Sequence, residues 1–318
     1  MVLAAFIASF LLGALCIRVG FYARRISGPA RIIVFLALGV VVACGPLMIP
    51  PQASVYQFLT ALVSVMAAMK LLDLFIETGR ENRGRALSNE AFRAFLRNPS
   101  MLVRRLPHFE EQPSAAQSRR SLVFQTGVML VGCLAMVGLF RIDWSSPAFM
   151  FEHAVKFTVL FIIWIAFMQV FTAASRLAGW YTLEPNRALF LAATPAEFWR
   201  RYNRWIGVAL QENVFKPCGG RRHPAIGILA AFFASGLIHE YLFAMSIGYP
   251  QGYQMLFFML QGLAVVATMR VRPAGVAAWT GIVVTYVFNI CTAVIFCASI
   301  QQILPFYQNQ FPVWLRGW

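Results

Sequence analysis

Long apolar stretches alternate with short polar segments along the whole 318-residue chain. A helix needs roughly 20 mostly apolar residues to cross a hydrocarbon core of about 30 Å. Backbone polar groups inside lipid must be paired within the helix itself, so this pattern predicts an all-α bundle of about eight transmembrane helices with additional interfacial helices. The predicted spans lie near residues 2–17, 32–50, 55–75, 121–140, 154–175, 224–247, 253–269 and 276–297.

Composition supports a membrane protein, since 59% of the residues are hydrophobic and only 12% are charged. Soluble domains are about 45–50% apolar and about 25% charged. The net charge of +15 would suggest nucleic acid in a soluble protein, but its position here indicates otherwise. The basic residues concentrate in the stretches 18–31, 80–120, 176–222 and 270–272, which fall on one side of the predicted spans.

This asymmetry follows the positive-inside rule, which predicts that the basic loops are cytosolic. We therefore expect a multi-pass integral membrane protein, in the cytoplasmic membrane of a bacterium or the endoplasmic reticulum of a eukaryote. Its partners would be membrane lipids and not nucleic acid. The whole range 1–318 is expected to form one membrane-embedded domain, in which 76–120 and 176–223 are cytosolic interfacial segments.

The first apolar stretch is interpreted as a retained helix, because no basic residue precedes Arg18 and no small-residue cleavage pattern follows it. The six cysteines are scattered without a CxxC pair or a metal-ligand spacing. They are expected to be small buried hydrophobes, and no metal site is predicted.

The segment 194–213 predicts an amphipathic helix that lies in the membrane interface. Thr194 can cap it, Pro195 suits the first helical position, and Glu197 can return to the cap amide. Apolar residues then recur at spacings of three and four to about Asn213, so one continuous helix with an apolar stripe is expected.

Ionisable residues inside the spans are few, and such residues are costly in lipid and usually functional. Lys70 and Asp73 are three residues apart and are interpreted as a snorkelling lysine and a helix-end pair, with a functional role as the alternative. His153 and Lys156 lie near the outer end of the fifth predicted span and are expected to be interfacial.

His239 and Glu240 differ, because they lie well inside the sixth predicted span, with His239 roughly 22 Å along the helix. Ser235 is four residues earlier and shares the face of His239, whereas Glu240 points about 100° away. Gly236 would admit the close approach of a neighbouring helix. A zinc protease is excluded because Phe243 stands where its second histidine would be, and no G-x-S-x-G nucleophile motif occurs.

Three ordered pieces resemble the membrane-bound O-acyltransferase superfamily, in its branch of wax-synthase-like and sterol or diacylglycerol acyltransferases. They are Glu197–Asn203 (EFWRRYN), Val214–Pro217 (VFKP) and Phe232–Glu240 (FFASGLIHE). The resemblance covers roughly 45 residues closely and the multi-span layout loosely.

The resemblance implies that His239 is the catalytic histidine and that Asn203 is the family's asparagine. Tyr202 stands where the family usually has tryptophan, a departure expected to affect packing more than chemistry. The polysaccharide-modifying branch usually has histidine at the position of Asn203, so the asparagine favours a lipid-like acceptor. The chain is short beside the animal enzymes, which puts a regulatory tail in doubt.

The hypothesis is therefore transfer of a fatty acyl group from acyl-CoA, as co-substrate, to a lipid alcohol, with no tightly bound cofactor. Neutral His239 would accept the hydroxyl proton, because an apolar bundle disfavours imidazolium. Asn203 would hold the thioester carbonyl, with a helix-end structural role as its alternative. Both substrates would meet in an internal tunnel. The candidate substrate-binding residues are Trp199, Ser235, Arg200, Arg204 and Glu240.

Other interpretations stay open. Arg200, Arg204 and the nearby Arg221 and Arg222 suit either the phosphates of coenzyme A or lipid headgroups. A proton-coupled transporter or lipid flippase is the alternative function, although paired discontinuous helices in two related halves are not evident. A non-catalytic scaffold is a third hypothesis. The sequence is compatible with a homo-oligomer and does not identify the acceptor.

Overall fold

The computed structural model of the protein describes residues 2–23, 25–81, 88–97, 111–145 and 148–308. In this part of the chain the structure contains eleven α-helices and no strand, which confirms the predicted all-α class. The helices are α1 (Val2–Ala23), α2 (Gly28–Ala43), α3 (Ser54–Glu81), α4 (Asn89–Arg97), α5 (Ala115–Leu139), α6 (Phe149–Leu177), α7 (Pro195–Arg201), α8 (Arg204–Leu210), α9 (Pro224–Ile247), α10 (Tyr253–Thr268) and α11 (Val276–Ile303).

Eight of these helices correspond to the eight predicted spans. Within the described residues, α1, α3, α5, α6, α9 and α11 are long and apolar enough to cross a membrane, while the apolar helices α2 and α10 have 16 residues each. The chain is thus a polytopic membrane bundle. The predicted span near 32–50 is shifted, because α2 ends at Ala43 and the chain continues as a 3₁₀ turn, Gly45–Met48. Pro46 lacks the amide hydrogen that a continuing helix would need.

The described residues divide into two compact units. Unit one contains those of Met1–Pro107 and Leu237–Pro250, and unit two contains those of His108–Gly236 and Gln251–Trp318. Helix α9 is unbroken and contributes to both. The single domain, the cytosolic side of the basic loops and the tunnel stay predictions. Much of the predicted interfacial segment 76–120 lies outside the described residues, namely 82–87 and 98–110.

In unit one, the half-buried Lys70 contacts α4. The Nζ atom of Lys70 donates a hydrogen bond of 2.6 Å to the carbonyl oxygen of Phe95 and lies 4.1 Å from the centre of its ring. The carbonyls of a helix's last turn have no partner within the helix, so a cation there is stabilising. The ammonium group of Lys70 is thus held at the end of α4, and its interpretation as a snorkelling lysine stays a prediction. Asp73, three residues later, is buried.

Unit two buries the two ionisable residues of α6 that were expected to be interfacial. Lys156 forms an ion pair of 2.6 Å with Glu152, and His153 lies between the Tyr307 hydroxyl and the Ile290 carbonyl, each at 2.7 Å. The carbonyl can only accept, so Nε2 of His153 carries the proton and Nδ1 accepts from Tyr307. The interfacial prediction is wrong for both residues, since Phe306 and Tyr307, which follow α11, contact them. His153 is a core histidine with both nitrogens paired.

Candidate active site

Helix α7 begins as the sequence predicts. The Oγ1 atom of Thr194 accepts from the amide of Glu197 at 3.1 Å, which is a side-chain N-cap. The Glu197 carboxylate accepts from the amide of Ala193 at 2.9 Å, one residue before the cap, so the expected return to the Thr194 amide is wrong by one residue. It also pairs with Arg201 at 3.1 Å. These contacts fix the first turn of the segment that leads to Asn203.

The expected continuous helix 194–213 is broken in the middle. Helix α7 ends at Arg201, Tyr202 is extended with φ −91° and ψ 140°, and Asn203 is left-handed with φ 42° and ψ 55°. Asparagine is one of the few residues that visit this region readily. The short helix α8 follows, and then a π-helical turn at Gln211–Phe215. The prediction of one helix is wrong because the backbone reverses its handedness at the asparagine itself.

A loop between α6 and α7 holds this break in place. The side-chain oxygen of Asn186 accepts from the amide of Asn203 at 3.0 Å, and both residues belong to unit two. Three hydrogen bonds to backbone carbonyls flank this contact, so the strained residue is fixed by its surroundings and not by its own helix. The flanking bonds run from the Arg204 amide to the Pro185 carbonyl at 2.8 Å, from the Arg187 amide to the Arg201 carbonyl at 3.0 Å, and from the Trp205 indole to the Leu183 carbonyl at 2.7 Å.

The side chain of Asn203 does not satisfy the backbone at the start of α8 in the described part of the chain. It precedes α8 but makes no capping hydrogen bond, and its Oδ1 atom is buried without a hydrogen-bond partner among the described residues. The alternative hypothesis of a helix-end structural role is therefore wrong for the side chain. Buried polar groups are nearly always paired, so a carboxamide held in this state suits a ligand.

Aromatic side chains surround the same segment. The indole of Trp199 donates to Oε1 of Gln261 at 2.9 Å and packs edge-on against Phe232 of α9, with 5.2 Å between ring centres. Tyr202 packs against Phe161 at 5.6 Å, which agrees with the packing role expected for it. Burial raises the pKa of the Tyr202 phenol to about 12, so this hydroxyl stays neutral near pH 7.

Helix α9 carries the other predicted residues. Ser235 and Glu240 are buried, and His239 is half-buried. Ser235 and His239 are one turn apart on this unbroken helix, as the sequence predicted. Gly236 allows α10 to approach closely, since a Cβ there would lie 2.8 Å from the sulfur of Met255 and 3.3 Å from its Cα. That prediction is confirmed.

The direction of His239 follows from the helix. At about 100° per residue, His239 lies within about 20° of the direction of Phe232, two turns earlier. In unit one, the hydroxyl of Tyr241 donates to the Ala43 carbonyl at 2.7 Å. The residues of α9 beside Tyr241 pack on α3, along a side of α9 that differs from the side of His239. His239 and Glu240 belong to unit one, whereas Asn203, Trp199 and Ser235 belong to unit two. The joint action of His239 and Asn203 stays a prediction.

The arginines of this region differ in their surroundings. Arg200 is exposed and pairs with Glu197 at 3.3 Å. Arg204 is half-buried and donates to the Glu184 carbonyl at 3.2 Å, so part of its guanidinium serves the loop that holds Asn203. Arg221 and Arg222 are exposed just before α9. Their assignment to phosphate groups stays a prediction.

Sequence reasoning missed Asn186 and Gln261, which position the segment. Gln261 is a polar residue in a predicted span, a signal that could have identified it. Asn186 follows Pro185 in a loop, and no local pattern relates it to a residue 17 positions later.

Comparison with known proteins gives one partial similarity, and no family model matches the chain. Over 101 residues the chain is 32% identical to an Arabidopsis thaliana protein described as "Probable long-chain-alcohol O-fatty-acyltransferase 3". The matched region covers 28% of this chain and 30% of that protein, so it spans less than a third of either. Over that region the similarity supports a relationship to O-acyltransferases.

Proposed function

We propose that this chain is a membrane O-acyltransferase that moves a fatty acyl group from acyl-CoA to the hydroxyl of a lipid alcohol. The observation that carries the proposal is Asn203, whose backbone is clamped in a left-handed conformation while its carboxamide makes no capping hydrogen bond to α8. The intramembrane His239 and the partial similarity to an O-fatty-acyltransferase point to the same chemistry.

The reaction needs one proton acceptor. The alcohol oxygen attacks the thioester carbonyl carbon while a ring nitrogen of His239 takes the hydroxyl proton. The tetrahedral intermediate then breaks its carbon–sulfur bond, and the imidazolium returns the proton to the departing sulfur. The products are an ester and free coenzyme A. A thioester is already activated, so no covalent enzyme intermediate is required, and general-base catalysis typically contributes about 10²–10⁴-fold.

Asn203 is proposed to bind the carbonyl oxygen of the donor through its amide nitrogen. A fixed donor of this kind is most effective when charge develops on that oxygen in the transition state. The loop around Asn186 supplies the fixation, because it holds the backbone of Asn203 from outside the helix. Removing one such donor typically lowers turnover by about 10²–10³-fold.

The remaining assignments concern the two substrates. The phosphates of coenzyme A would contact the basic residues Arg200, Arg204, Arg221 and Arg222 on the cytosolic side. The alcohol would enter from the bilayer and meet the acyl chain in an internal tunnel, close to Trp199. Ser235 shares the face of His239 and would orient the imidazole, while Glu240 points elsewhere and would stabilise the site indirectly.

The test uses purified protein in detergent micelles with radiolabelled palmitoyl-CoA and a panel of acceptors: 1-hexadecanol, a diacylglycerol and a sterol. We expect a labelled ester that forms only with an accepted alcohol, together with an equal amount of free thiol. A transporter would leave the palmitoyl-CoA intact. Absence of ester and thiol with every acceptor would contradict the proposal.

The role of Asn203 is isolated by comparing Asn203→Gly with Asn203→Ala. Glycine keeps the positive φ and removes only the carboxamide, whereas alanine also strains the backbone. We expect Asn203→Gly to fold normally and to lose about 10²–10³-fold in kcat with a smaller change in KM for palmitoyl-CoA. A glycine variant with the wild-type rate would show that only the backbone conformation matters.

A further inference from the structure

Asn289 is a second asparagine whose side chain the fold leaves unused. It lies in the middle of α11, on a face shared with Thr285 and Ala293 at four-residue spacing, and the three are 9%, 1% and 1% exposed, respectively. Neither Oδ1 nor Nδ2 of Asn289 has a hydrogen-bond partner in the part of the chain that the structure describes. Burying both ends of an amide unpaired is unfavourable, and native proteins rarely do so.

The side-chain amide of Gln261 shows that the surrounding helices can supply hydrogen-bond partners to a buried amide. Gln261 of α10 is only 1% exposed, yet its oxygen accepts from the Trp199 indole at 2.9 Å and its nitrogen donates to Oγ1 of Thr292 at 2.8 Å. Thr292 is three residues after Asn289 and uses its own hydroxyl hydrogen toward backbone carbonyls of α11. The backbone carbonyl of Asn289 accepts from Thr292 at the end of this polar chain, whereas the side chain of Asn289 takes no part in it.

The hydrogen bonds from Trp199 to Gln261 and from Gln261 to Thr292 lead from the segment before Asn203 to the neighbourhood of Asn289. This polar chain starts on α7 at Trp199, crosses α10 and ends on α11 one turn from Asn289. One turn before Asn289, the ring of Tyr286 packs edge-on against Phe198 of α7, with 6.2 Å between ring centres. All these residues belong to unit two. The face of α11 that carries Asn289 is thus part of the packing around α7.

We propose that Asn289 binds the hydroxyl group of the lipid alcohol; the class of ligand rests on the function proposed above. A hydroxyl donates one hydrogen bond and accepts another, so one such group satisfies both ends of the carboxamide. A thioester carbonyl only accepts and would leave Oδ1 unpaired. The hydroxyl proton leaves this contact when the alcohol reacts, so Asn289 acts on binding of the acceptor and not on the later chemical step.

The test compares Asn289→Leu, which keeps the size and removes both polar atoms, with Thr280→Val, an exposed polar-to-apolar change on the same helix. Purified protein is first titrated with 1-hexadecanol or hexadecane while the melting temperature is followed, because a ligand of the folded state raises it. We expect 1-hexadecanol to raise the melting temperature of the wild type and of Thr280→Val more than hexadecane does. In Asn289→Leu this difference should vanish.

The kinetic arm measures transfer from palmitoyl-CoA. Losing one reciprocal hydroxyl contact should raise KM for 1-hexadecanol about tenfold, with little change in kcat or in KM for palmitoyl-CoA. Without its ligand, Asn289→Leu should be at least as stable as the wild type, since an unpaired amide is removed. Hydroxyl-dependent shifts that persist in Asn289→Leu would overturn the assignment. If the shift is lost in the variant but no ester forms in the wild type, the binding site stands and the proposed transferase activity fails.

Discussion

The buried ion pair of α6 allows a direct test of what holds residues 306–308 in place. Both side chains of the pair are 0% exposed, with 2.6 Å between Nζ of Lys156 and Oε1 of Glu152. Nζ also donates to the Phe306 carbonyl at 2.8 Å, and the amide of Gln308 donates to the carboxylate at 2.8 Å. The change Lys156→Met keeps the apolar stem and leaves a buried carboxylate without its cation.

Breaking a buried pair from one side typically costs about 3–5 kcal/mol. The chain offers a matched control in Lys216, which pairs with Glu212 at the same four-residue spacing but has a side chain that is 54% exposed. The Glu212 side chain is 10% exposed, and a pair whose cation is open to solvent in this way is worth about 0.2–1 kcal/mol. We therefore expect Lys156→Met to lower the free energy of unfolding several times more than Lys216→Met does.

The assay is unfolding of the purified protein by sodium dodecyl sulfate in mixed micelles, followed by tryptophan fluorescence. The double change Lys156→Met with Glu152→Gln should recover most of the loss, because no unpaired charge remains and the new amide oxygen can still accept from the Gln308 amide. The loss in Lys156→Met should also shrink at lower pH, where the lone carboxylate takes up a proton. Equal losses in the two lysine variants, or a double variant no better than the single one, would refute the reasoning.

Two further predictions concern how the candidate site is held. Gly281→Ala would place a Cβ 2.5 Å from the Ala193 carbonyl oxygen, so it should lower the free energy of unfolding by about 1–3 kcal/mol and lower the rate of acyl transfer. The control is Gly127→Ala, whose Cβ would have nothing within 4 Å and which should leave stability unchanged or raise it. Equal melting temperatures of the two variants would contradict this prediction. Asn186→Ala removes the acceptor for the Asn203 amide and should cost about 1 kcal/mol, with a fall in kcat smaller than that of Asn203→Gly; an unchanged kcat would contradict it.

Local sequence patterns predicted the elements whose causes are local. The apolar stretches located eight helices of the bundle, because lipid leaves the backbone no partners other than its own. Thr194 and Pro195 located the start of α7, because an N-cap is made by the residues at the cap itself. The shared face of Ser235 and His239 follows from helical spacing alone.

Contacts distant in sequence produced the features that were missed. The break at Asn203 interrupts an apolar periodicity that continues through it, and it is held by Asn186 and Pro185, 17 and 19 residues away from their partners. The burial of Lys156 depends on Phe306, 150 residues later. Local sequence predicts an interfacial position for a polar residue near a helix end, because it does not show which distant segment covers that residue.

The central claim is that the imidazole of His239 accepts the hydroxyl proton during acyl transfer. Its most direct test is the rate of labelled ester formation from palmitoyl-CoA and 1-hexadecanol by equal amounts of folded His239→Ala and His223→Ala protein. His223 is exposed just before the same helix, so its variant controls for loss of a histidine. We expect His223→Ala to retain the wild-type rate and His239→Ala to lose at least about 10²-fold in kcat. A His239→Ala protein that forms ester at the wild-type rate would contradict the mechanism.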